Sequence, residues 1–355
     1  MPPDLITLTP QGLWCEAGGF HIDPWEPVDR AVITHAHSDH ARPGSASYLT
    51  SPSGAPLLRI RMGPGARVEP LAWGERLAVG AATVSLHPAG HVLGSCQVRV
   101  EAPGQASWLI TGDYKLAPDA TCEAWEPVRA DVMLTESTFG LPIYHWAGER
   151  DVLAEINGWW AANREHGRTS MLLAYSLGKA QRVLAGLDPS IGPIGMHGAI
   201  HAMNDAYGAA GVILPAWVHA NKETAGELRG AGLIVAPPSA AESTWARKFA
   251  GRGGMATGMA SGWMAVRGRR RWRALDRGFV LSDHADWEGL NEAVRSSGAE
   301  RIGVTHGYAA AFARWLRERG LETFVVPTRF EGEDAGEAPA AAAEAGAEPA
   351  DGEVA

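Results

Sequence analysis

The sequence predicts a mixed α/β protein in which one α/β segment is inserted into a domain built on short strands. Brief apolar runs separated by glycine and proline fill the first third of the chain, a spacing typical of a β-meander or sandwich. After Gly148, helical periodicity alternates with strand-like runs, which indicates a parallel sheet covered by helices. Short strands return near Arg277. We therefore expect an outer domain of residues 1–147 and 275–330 around an inserted domain of residues 148–274.

The individual elements follow from apolar periodicity and from the glycines and prolines that bound each run. The first part predicts the strands DLITL, GLWCE, GFHID, RAVIT, RLAVG, TVSLH, CQVRV, SWLIT and DVMLT. The inserted part predicts the helix ERDVLAEINGWWAANREHG, the strand TSMLLAY, the helix SLGKAQRVLAGL, the strand GLIVAPP and the helix AESTWARKFAGRG. The last part predicts strands within GFVLSDHADW, RIGVTHG and ETFVVP, with a helix at AAFARWLRERG.

The net charge of −9 does not argue against a nucleic-acid partner, because much of it lies in the last 25 residues. Residues 331–355 carry eight of the 40 acidic residues and none of the 31 basic ones, so the rest of the chain is close to neutral. This segment consists mostly of Ala, Glu, Gly and Pro and has no aromatic residue. We expect a disordered acidic tail, because it has too little apolar surface to fold.

Cysteine use and hydropathy predict a cytoplasmic protein with no membrane association. Cys15, Cys96 and Cys122 are few, odd in number and without CxxC spacing, which is typical of a reducing compartment. The N-terminal residues lack the basic and apolar regions of a signal peptide, and no apolar run reaches the ~18 residues of a membrane span.

The stretch AVITHAHSDHA places His35, His37, Asp39 and His40 directly behind an apolar strand. Imidazole and carboxylate are ligands for zinc, and they also bind manganese or iron. A histidine-rich surface loop is the alternative. Four potential ligands within six residues favour a metal site.

Three further polar residues stand in the same context as the histidine loop. His91, Asp113 and His306 each lie at the end of an apolar run and beside or near a glycine, which allows close approach of the backbone. Taken singly, a histidine such as His91 or His306 is more often a partly buried side chain with a hydrogen-bond partner than a metal ligand. The repeated position at strand ends favours one shared site with more ligands than a single metal ion needs.

These motifs resemble the metallo-β-lactamase superfamily, whose HxHxDH signature matches residues 35–40 letter for letter. Within it the chain resembles the β-CASP nucleases, and most of all the bacterial ligase-associated DNA exonucleases, over about residues 4–328. The stretches that carry this resemblance are LTPQGLWCEAGGFHIDPWEPVDRAVITHAHSDHARPGS, GHVLGSCQV, TGDYK, LTESTFGLPIY and VLSDHADW. The resemblance implies an αββα metallo-β-lactamase sandwich with an inserted α/β β-CASP domain.

The resemblance also implies a dinuclear centre that holds two divalent ions, zinc in the first place and manganese as an alternative. One ion would be held by His35, His37 and His91. The other would be held by Asp39, His40 and His306, with Asp113 between the two ions. Asp23 would tether the histidine loop, with a simple turn carboxylate ahead of Pro24 as the alternative.

By the same resemblance, Glu136 and His284 match the β-CASP acid–histidine pair and would be catalytic together with Asp39 and Asp113. Two metal ions lower the pKa of a bound water for attack on phosphorus, and a carboxylate beside an imidazole raises its pKa, which suits a general acid. A surface acid and a histidine at a helix start are the alternatives for the pair. We expect a DNA exonuclease of DNA repair acting on a single strand or a free end, with a DNA ligase or helicase as associate. The alternatives are an RNA-processing nuclease, a small ester or thioester hydrolase, and a non-catalytic nucleic-acid scaffold.

Three stretches of the inserted segment are candidates for nucleic-acid contacts. Arginines surround Trp272 in AVRGRRRWRALDRG, namely Arg267, Arg269, Arg270, Arg271 and Arg273, and a solvated helix face is equally compatible with this run. In YSLGKAQR, Ser176 could cap a helix whose N-terminus receives a phosphate near Lys179. Ser261 lies in a glycine-containing loop, with simple helix capping as the alternative.

Overall fold

A computed structural model describes residues 4–241, 243–266 and 275–329, and in this part of the chain the strands form three sheets. The strands are β1 Thr7–Thr9, β2 Gly12–Cys15, β3 Phe20–Ile22, β4 Arg30–Val32, β5 Ser47–Thr50, β6 Val68–Pro70, β7 Leu77–Val79, β8 Ala82–Pro88, β9 Cys96–Glu101, β10 Trp108–Ile110, β11 Val132–Glu136, β12 Thr169–Leu173, β13 Ile194–Met196, β14 Val218–His219, β15 Leu233–Ala236, β16 Met255–Ala260, β17 Arg277–Phe279, β18 Arg301–Thr305 and β19 Glu322–Val325.

The α-helices alternate with the strands mainly in the second half of the chain. They are α1 Gly54–Met62, α2 Glu149–Glu165, α3 Lys179–Ala185, α4 Gly198–Ala209, α5 Ala225–Leu228, α6 Thr244–Arg247, α7 Trp287–Ser297 and α8 Ala309–Arg317, with 3₁₀ turns at Pro238–Ala240 and Gly262–Ala265. Within the described residues, no helix is long and apolar enough to cross a bilayer.

The first sheet has the order β1-β2-β3-β4-β5-β6, and the second has the order β19-β18-β11-β10-β9-β8-β7. One core lies between them, because Ile22 and Val32 of the first sheet cluster with Val98 and Val132 of the second. On the other face of the second sheet, α7 and α8 pack against residues such as Met133. The outer face of the first sheet is covered by α1. Each sheet therefore has a helix on its outer side.

The third sheet is entirely parallel, with the order β14-β13-β15-β12-β16-β17. Its core includes Trp160 of α2, Val183 of α3 and Phe279 of β17. The edge strand β17 pairs with β16, so this sheet extends a few residues beyond position 274. Carboxyl ends of parallel strands meet at one edge, and here that edge faces the histidine loop.

The mixed α/β class predicted from the sequence is confirmed, while several local predictions were wrong. The first sheet is not a simple meander, since β3, β4, β5 and β6 run parallel to one another. Helix α1 was missed because apolar and basic residues alternate in LLRIRM, which is the period of a strand. The predicted helix AESTWARKFAGRG keeps only one turn at Thr244–Arg247, because its glycines turn the chain back towards β16. Residues 331–355 lie outside the described part, and the division into domains stays a prediction.

Candidate metal centre

The polar residues predicted from the sequence lie where strands end. They occupy the loop after β4 (His35, His37, Asp39, His40), the β8–β9 loop (His91), the residues after β10 (Asp113), the last position of β11 (Glu136) and the residues after β17 (His284) and β18 (His306). The parallel register opposes Glu136 to Thr305, so the loop that carries His306 begins beside the end of β11. Sheet register therefore brings together residues that are far apart in the chain.

Backbone geometry around the site explains two local features of the sequence. Gly112 has a φ of 55°, and a Cβ there would lie 2.7 Å from the Thr34 side chain, so only glycine allows Asp113 to follow so closely. Asp23 and His306 adopt left-handed conformations, with φ of 44° and 57°, although neither is glycine. Such strain is typical of residues held by a functional site.

Three histidine nitrogens converge in a first cluster. Nδ1 of His37 lies 3.0 Å from Nε2 of His35 and 3.1 Å from Nε2 of His91. The Oδ2 atom of Asp113 lies 3.6 Å from Nε2 of His35 and 3.8 Å from that of His91. His35, His91 and Asp113 are buried, and His37 is partly buried. The three imidazoles and the carboxylate therefore share a space that is largely shielded from solvent.

The partners on the far side of the rings fix which nitrogens carry protons. Nδ1 of His91 lies 2.8 Å from the Asp283 carbonyl oxygen, and Nε2 of His37 lies 3.1 Å from that of Leu177. A carbonyl oxygen only accepts, so both of these nitrogens must donate. The two nitrogens that face each other across the cluster are therefore unprotonated lone pairs in the neutral rings.

His35 contributes a third lone pair to the same space. The Thr34 hydroxyl donates to Oδ2 of Asp23 at 2.6 Å, so it can only accept from Nδ1 of His35 at 3.1 Å. Nε2 of His35 then points unprotonated at the cluster. Burial, reinforced by the neighbouring His40 and His37, holds the pKa of His35 well below its ordinary value, and burial acts the same way on His91. Three lone pairs that resist protonation are what a metal cation needs, so these residues fit a metal site.

A second cluster shares Asp113 with the first. Nε2 of His40 lies 3.4 Å from Oδ2 of Asp113 and 3.7 Å from Oδ2 of Asp39, and Nδ1 of His306 lies 3.6 Å from Oδ1 of Asp113. Among the described residues, the buried atoms Nε2 of His40 and Oδ1 of Asp113 have no hydrogen-bond partner. Unpartnered buried polar atoms are costly, which is further support for a cation at this position.

Without bound ions, the pKa values of His40 and Asp113 are set by burial and by the opposite charges around each group. Burial opposes the charge on His40, but the carboxylates of Asp113, Asp39 and Asp23 raise its pKa well above the ordinary value. Burial likewise opposes the charge on Asp113, yet the imidazoles of His40 and His284 hold its pKa well below the ordinary value. Asp113 is therefore an anion that faces both clusters.

Asp23 holds the histidine loop through both carboxylate oxygens. Oδ1 accepts from the Thr34 amide at 2.8 Å, while Oδ2 accepts from the Thr34 hydroxyl and lies 2.7 Å from Nδ1 of His40. The tether predicted from the sequence is thus a set of three contacts that orient His40 directly and His35 through Thr34.

Replacement of Asp23 by alanine should lower metal affinity about 10- to 100-fold, because His40 and Thr34 lose the acceptor that orients them. Isothermal titration calorimetry of metal into protein that a chelator has stripped of metal measures this affinity. Asp29→Ala, in the same loop but exposed, is the matched control. Unchanged affinity in Asp23→Ala would show that the carboxylate only stabilises a turn.

Glu136 and His284 form a buried pair beside the first cluster. Nδ1 of His284 lies 2.9 Å and 3.0 Å from the two carboxylate oxygens of Glu136, and the amide of Tyr114 donates to Oε1 at 2.8 Å. The His284 backbone is held by the Trp146 indole, which donates to its carbonyl oxygen at 2.8 Å, and by a bond from its amide to the Ser282 hydroxyl. The ring of His284 stands 4.7 Å from that of His91. The pair is oriented towards the metal-ligating space.

Behind this pair lies a buried ionic network that sequence reasoning missed. Arg182 of α3 donates to Oδ1 of Asp283 at 2.9 Å and to the Ser282 carbonyl at 2.6 Å, and it also pairs with Glu149 at 2.7 Å. Asp283 immediately precedes His284, and its own carbonyl orients His91. The network thus anchors one side of the site to α3. No local sequence signal marks Arg182.

The structure places two residues predicted to bind nucleic acid, Ser176 and Lys179, in the segment that follows β12. Lys179 is fully buried, and its ammonium lies 3.6 Å from Oδ2 of Asp283. Ser176 is not the helix cap, because α3 begins after Gly178, whose φ of 87° and bond to Gln181 form the N-terminal turn. A serine cannot replace that left-handed glycine without strain.

Ser261 is also buried, and its hydroxyl caps the 3₁₀ turn by accepting from the Trp263 amide at 3.3 Å. This contact is the one that the capping alternative describes, and the nucleic-acid contact of Ser261 stays a prediction. Arg267, Arg269, Arg270 and Arg271 lie outside the described residues.

The fold and site define a mixed α/β protein with a histidine–aspartate cluster that could hold metal. No protein-family model matches the chain. A probable DNA ligase of Opitutus terrae is 33% identical over 318 residues, which make up 89% of this chain and 30% of that protein. Endoribonuclease ysh1 of Schizosaccharomyces pombe is 34% identical over 124 residues, 34% of this chain and 16% of that protein. The cleavage and polyadenylation specificity factor 73 of Drosophila melanogaster is 29% identical over 124 residues, 34% of this chain and 18% of that protein.

A solved structure of a protein of unknown function from Enterococcus faecalis matches with a TM-score of 0.57 at 12% identity, over 85% of this chain and 80% of that one. At this identity the match bears on the fold alone. The chain spans at most 30% of the length of the three named relatives. These homologues support the broader part of the sequence prediction, a resemblance to metallo-β-lactamase/β-CASP nucleases.

Proposed function

We propose that this chain is a metal-dependent nuclease of the β-CASP group that hydrolyses DNA phosphodiesters from an end, as part of DNA repair in the cytoplasm. The observation that carries the proposal is the convergence of three imidazole lone pairs beside the shared carboxylate of Asp113. The two facing sheets with outer helices support an αββα sandwich, and the third sheet supports a β-CASP insert.

The proposed centre holds two divalent ions. His35, His37 and His91 would hold one, Asp39, His40 and His306 the other, and Asp113 would face both. Bound there, the ions would neutralise the phosphodiester charge and make a nearby water more acidic. A nitrogen-rich donor set favours zinc, and manganese is the alternative.

The residues of the chain supply orientation and a proton. Glu136 accepts from Nδ1 of His284 and thereby fixes the plane of the ring. The proton given to the leaving oxygen would then come from Nε2, on the side of the ring away from the carboxylate. Asp113 keeps its negative charge inside the site, so it binds cations without competing for that proton.

The relatives support nucleic acid as the substrate and favour DNA. A segment similar to this chain forms 30% of a protein named as a probable DNA ligase, which supports DNA as substrate and a DNA ligase as functional partner, with a helicase as a second candidate. The endoribonuclease relatives cover a smaller share of the chain and make RNA the second candidate substrate.

End-labelled single- and double-stranded DNA and RNA, incubated with the protein with and without chelator, test the proposal. We expect a ladder of shortened DNA strands that disappears with chelator. Turnover of thioesters or lactones alone would indicate a small-ester hydrolase. Retention of DNA on a filter without any cleavage would indicate a binding scaffold.

A further inference from the structure

Five aromatic and imidazole rings cluster near the carboxyl ends of β13 and β14 in the third sheet. This edge ring cluster consists of His197, His201, Trp217, His219 and Trp245. The ring centroid of His201 lies 4.5 Å from that of Trp217 and 4.1 Å from that of His219, and the centroid of His197 lies 4.6 Å from that of Trp245. None of the five residues is buried, and His219 is exposed.

The cluster lies on the same edge of the sheet as the metal centre. His197 directly follows β13 and His219 ends β14, while the loop after β12 carries Leu177, whose carbonyl meets His37. In the order β14-β13-β15-β12, β14 lies three strand positions from β12. At ~4.8 Å per strand this separation is ~14 Å. A single nucleic-acid strand that leaves the metal centre along this edge would reach the rings after ~4 nucleotides, at a rise of about 3.4 Å per nucleotide.

The rings are held in place before any ligand binds. The Trp245 indole donates to the Ala220 carbonyl at 2.9 Å, and Nδ1 of His197 accepts from the Ala199 amide at 3.1 Å. His219 lies against the start of α4, where a Cβ on Gly198 would be 3.3 Å from its Nε2. Among the described residues, Nε2 of His201 is shielded from solvent yet has no hydrogen-bond partner. A set of rings whose orientation is fixed in advance is suited to a planar ligand.

We propose that the edge ring cluster binds the bases of a single-stranded nucleic acid by stacking, at a distance of several nucleotides from the cleaved bond. The inference rests on the proposed nuclease function and deepens it. Base stacking on aromatic rings tolerates any sequence, as an exonuclease requires. Burial and the neighbouring His219 lower the pKa of His201, so its ring is mostly neutral at neutral pH and is better suited to bases than to phosphates.

The test compares binding of short and long nucleic-acid strands to two variants at Trp217 and to one control variant. Fluorescence anisotropy measures binding of labelled phosphorothioate single strands, which resist cleavage, to the protein as purified. A strand of about two nucleotides reaches only the metal centre, whereas a strand of about twelve nucleotides also reaches the edge ring cluster. Trp217→Leu should weaken binding of the long strand about tenfold, whereas Trp217→Phe should retain most of it. The matched control is His166→Ala, because His166 is an exposed histidine just before the amino end of β12. Thermal melting confirms that each variant is folded.

The outcomes separate the two proposals. Loss of affinity for the long strand in Trp217→Leu, with rescue by phenylalanine, supports the edge ring cluster. Equal affinities in Trp217→Leu and the unsubstituted chain, or equal losses in the leucine and phenylalanine variants, overturn it and leave the nuclease proposal intact. If the unsubstituted chain binds neither strand, the proposed function fails and this subsite fails with it.

Discussion

Asp113→Ala is expected to release metal from both clusters and to slow DNA cleavage by at least about 10³-fold, because several kcal/mol of charge stabilisation depends on the ions. The carboxylate lies within 4 Å of imidazole nitrogens from both clusters, and among the described residues it is the member that the two clusters share. Elemental analysis of the purified variant and cleavage of an end-labelled strand measure the two effects.

Asp113→Asn separates charge from shape in this experiment. The amide has nearly the volume of the carboxylate but no negative charge, so it should also lose metal. The exposed Asp29→Ala is again the control, with full metal content and full rate expected. Stoichiometric metal in both Asp113 variants would contradict the shared-ligand assignment.

His284→Ala is expected to retain the metal and to slow cleavage by about 10² to 10⁴, the usual contribution of a general acid. The ring is not among the three whose lone pairs converge at 3.0–3.1 Å, and its Nδ1 is already engaged by Glu136. Metal content and the single-turnover rate on labelled DNA measure the two halves of this prediction.

The nature of the leaving group tests the role assigned to His284. The nitrophenolate leaving group of a nitrophenyl phosphodiester departs without protonation. The loss of rate in His284→Ala should therefore be smaller on that substrate than on DNA. His166→Ala should be unaffected on both substrates. An equal loss on the nitrophenyl and DNA substrates would mean that His284 organises the site without donating a proton.

Sequence reasoning reached the histidine–aspartate cluster because its members share a local signature. His35, His91, Asp113 and His306 all follow apolar runs, and strand ends that meet at one edge of a sheet bring them together. The same logic found α2, whose apolar residues recur at helical spacing. It could not find what depends on partners far away in the chain.

Most of the missed features are non-local. The carbonyls of Leu177 and Asp283, which fix the histidine tautomers, carry no side-chain signal. The contact between the buried Lys179 ammonium and an acid more than a hundred positions later carries no local signal either. Helix α4, which carries the buried Tyr207, was not predicted either, and here the reason is local, because glycine and asparagine interrupt its apolar face.

The carbonyl of Leu177 carries a thermodynamic consequence. It belongs to a loop of the third sheet, whereas His37, which it orients, belongs to the first. Metal affinity and the packing of the third sheet against the first are therefore thermodynamically coupled, and whatever favours one must favour the other by the same factor. Metal binding should stabilise the contact between the Leu177 loop and the histidine loop, and a substitution that disrupts this contact should weaken metal binding. Proteolysis or hydrogen exchange at this contact would then report occupancy without any substrate present.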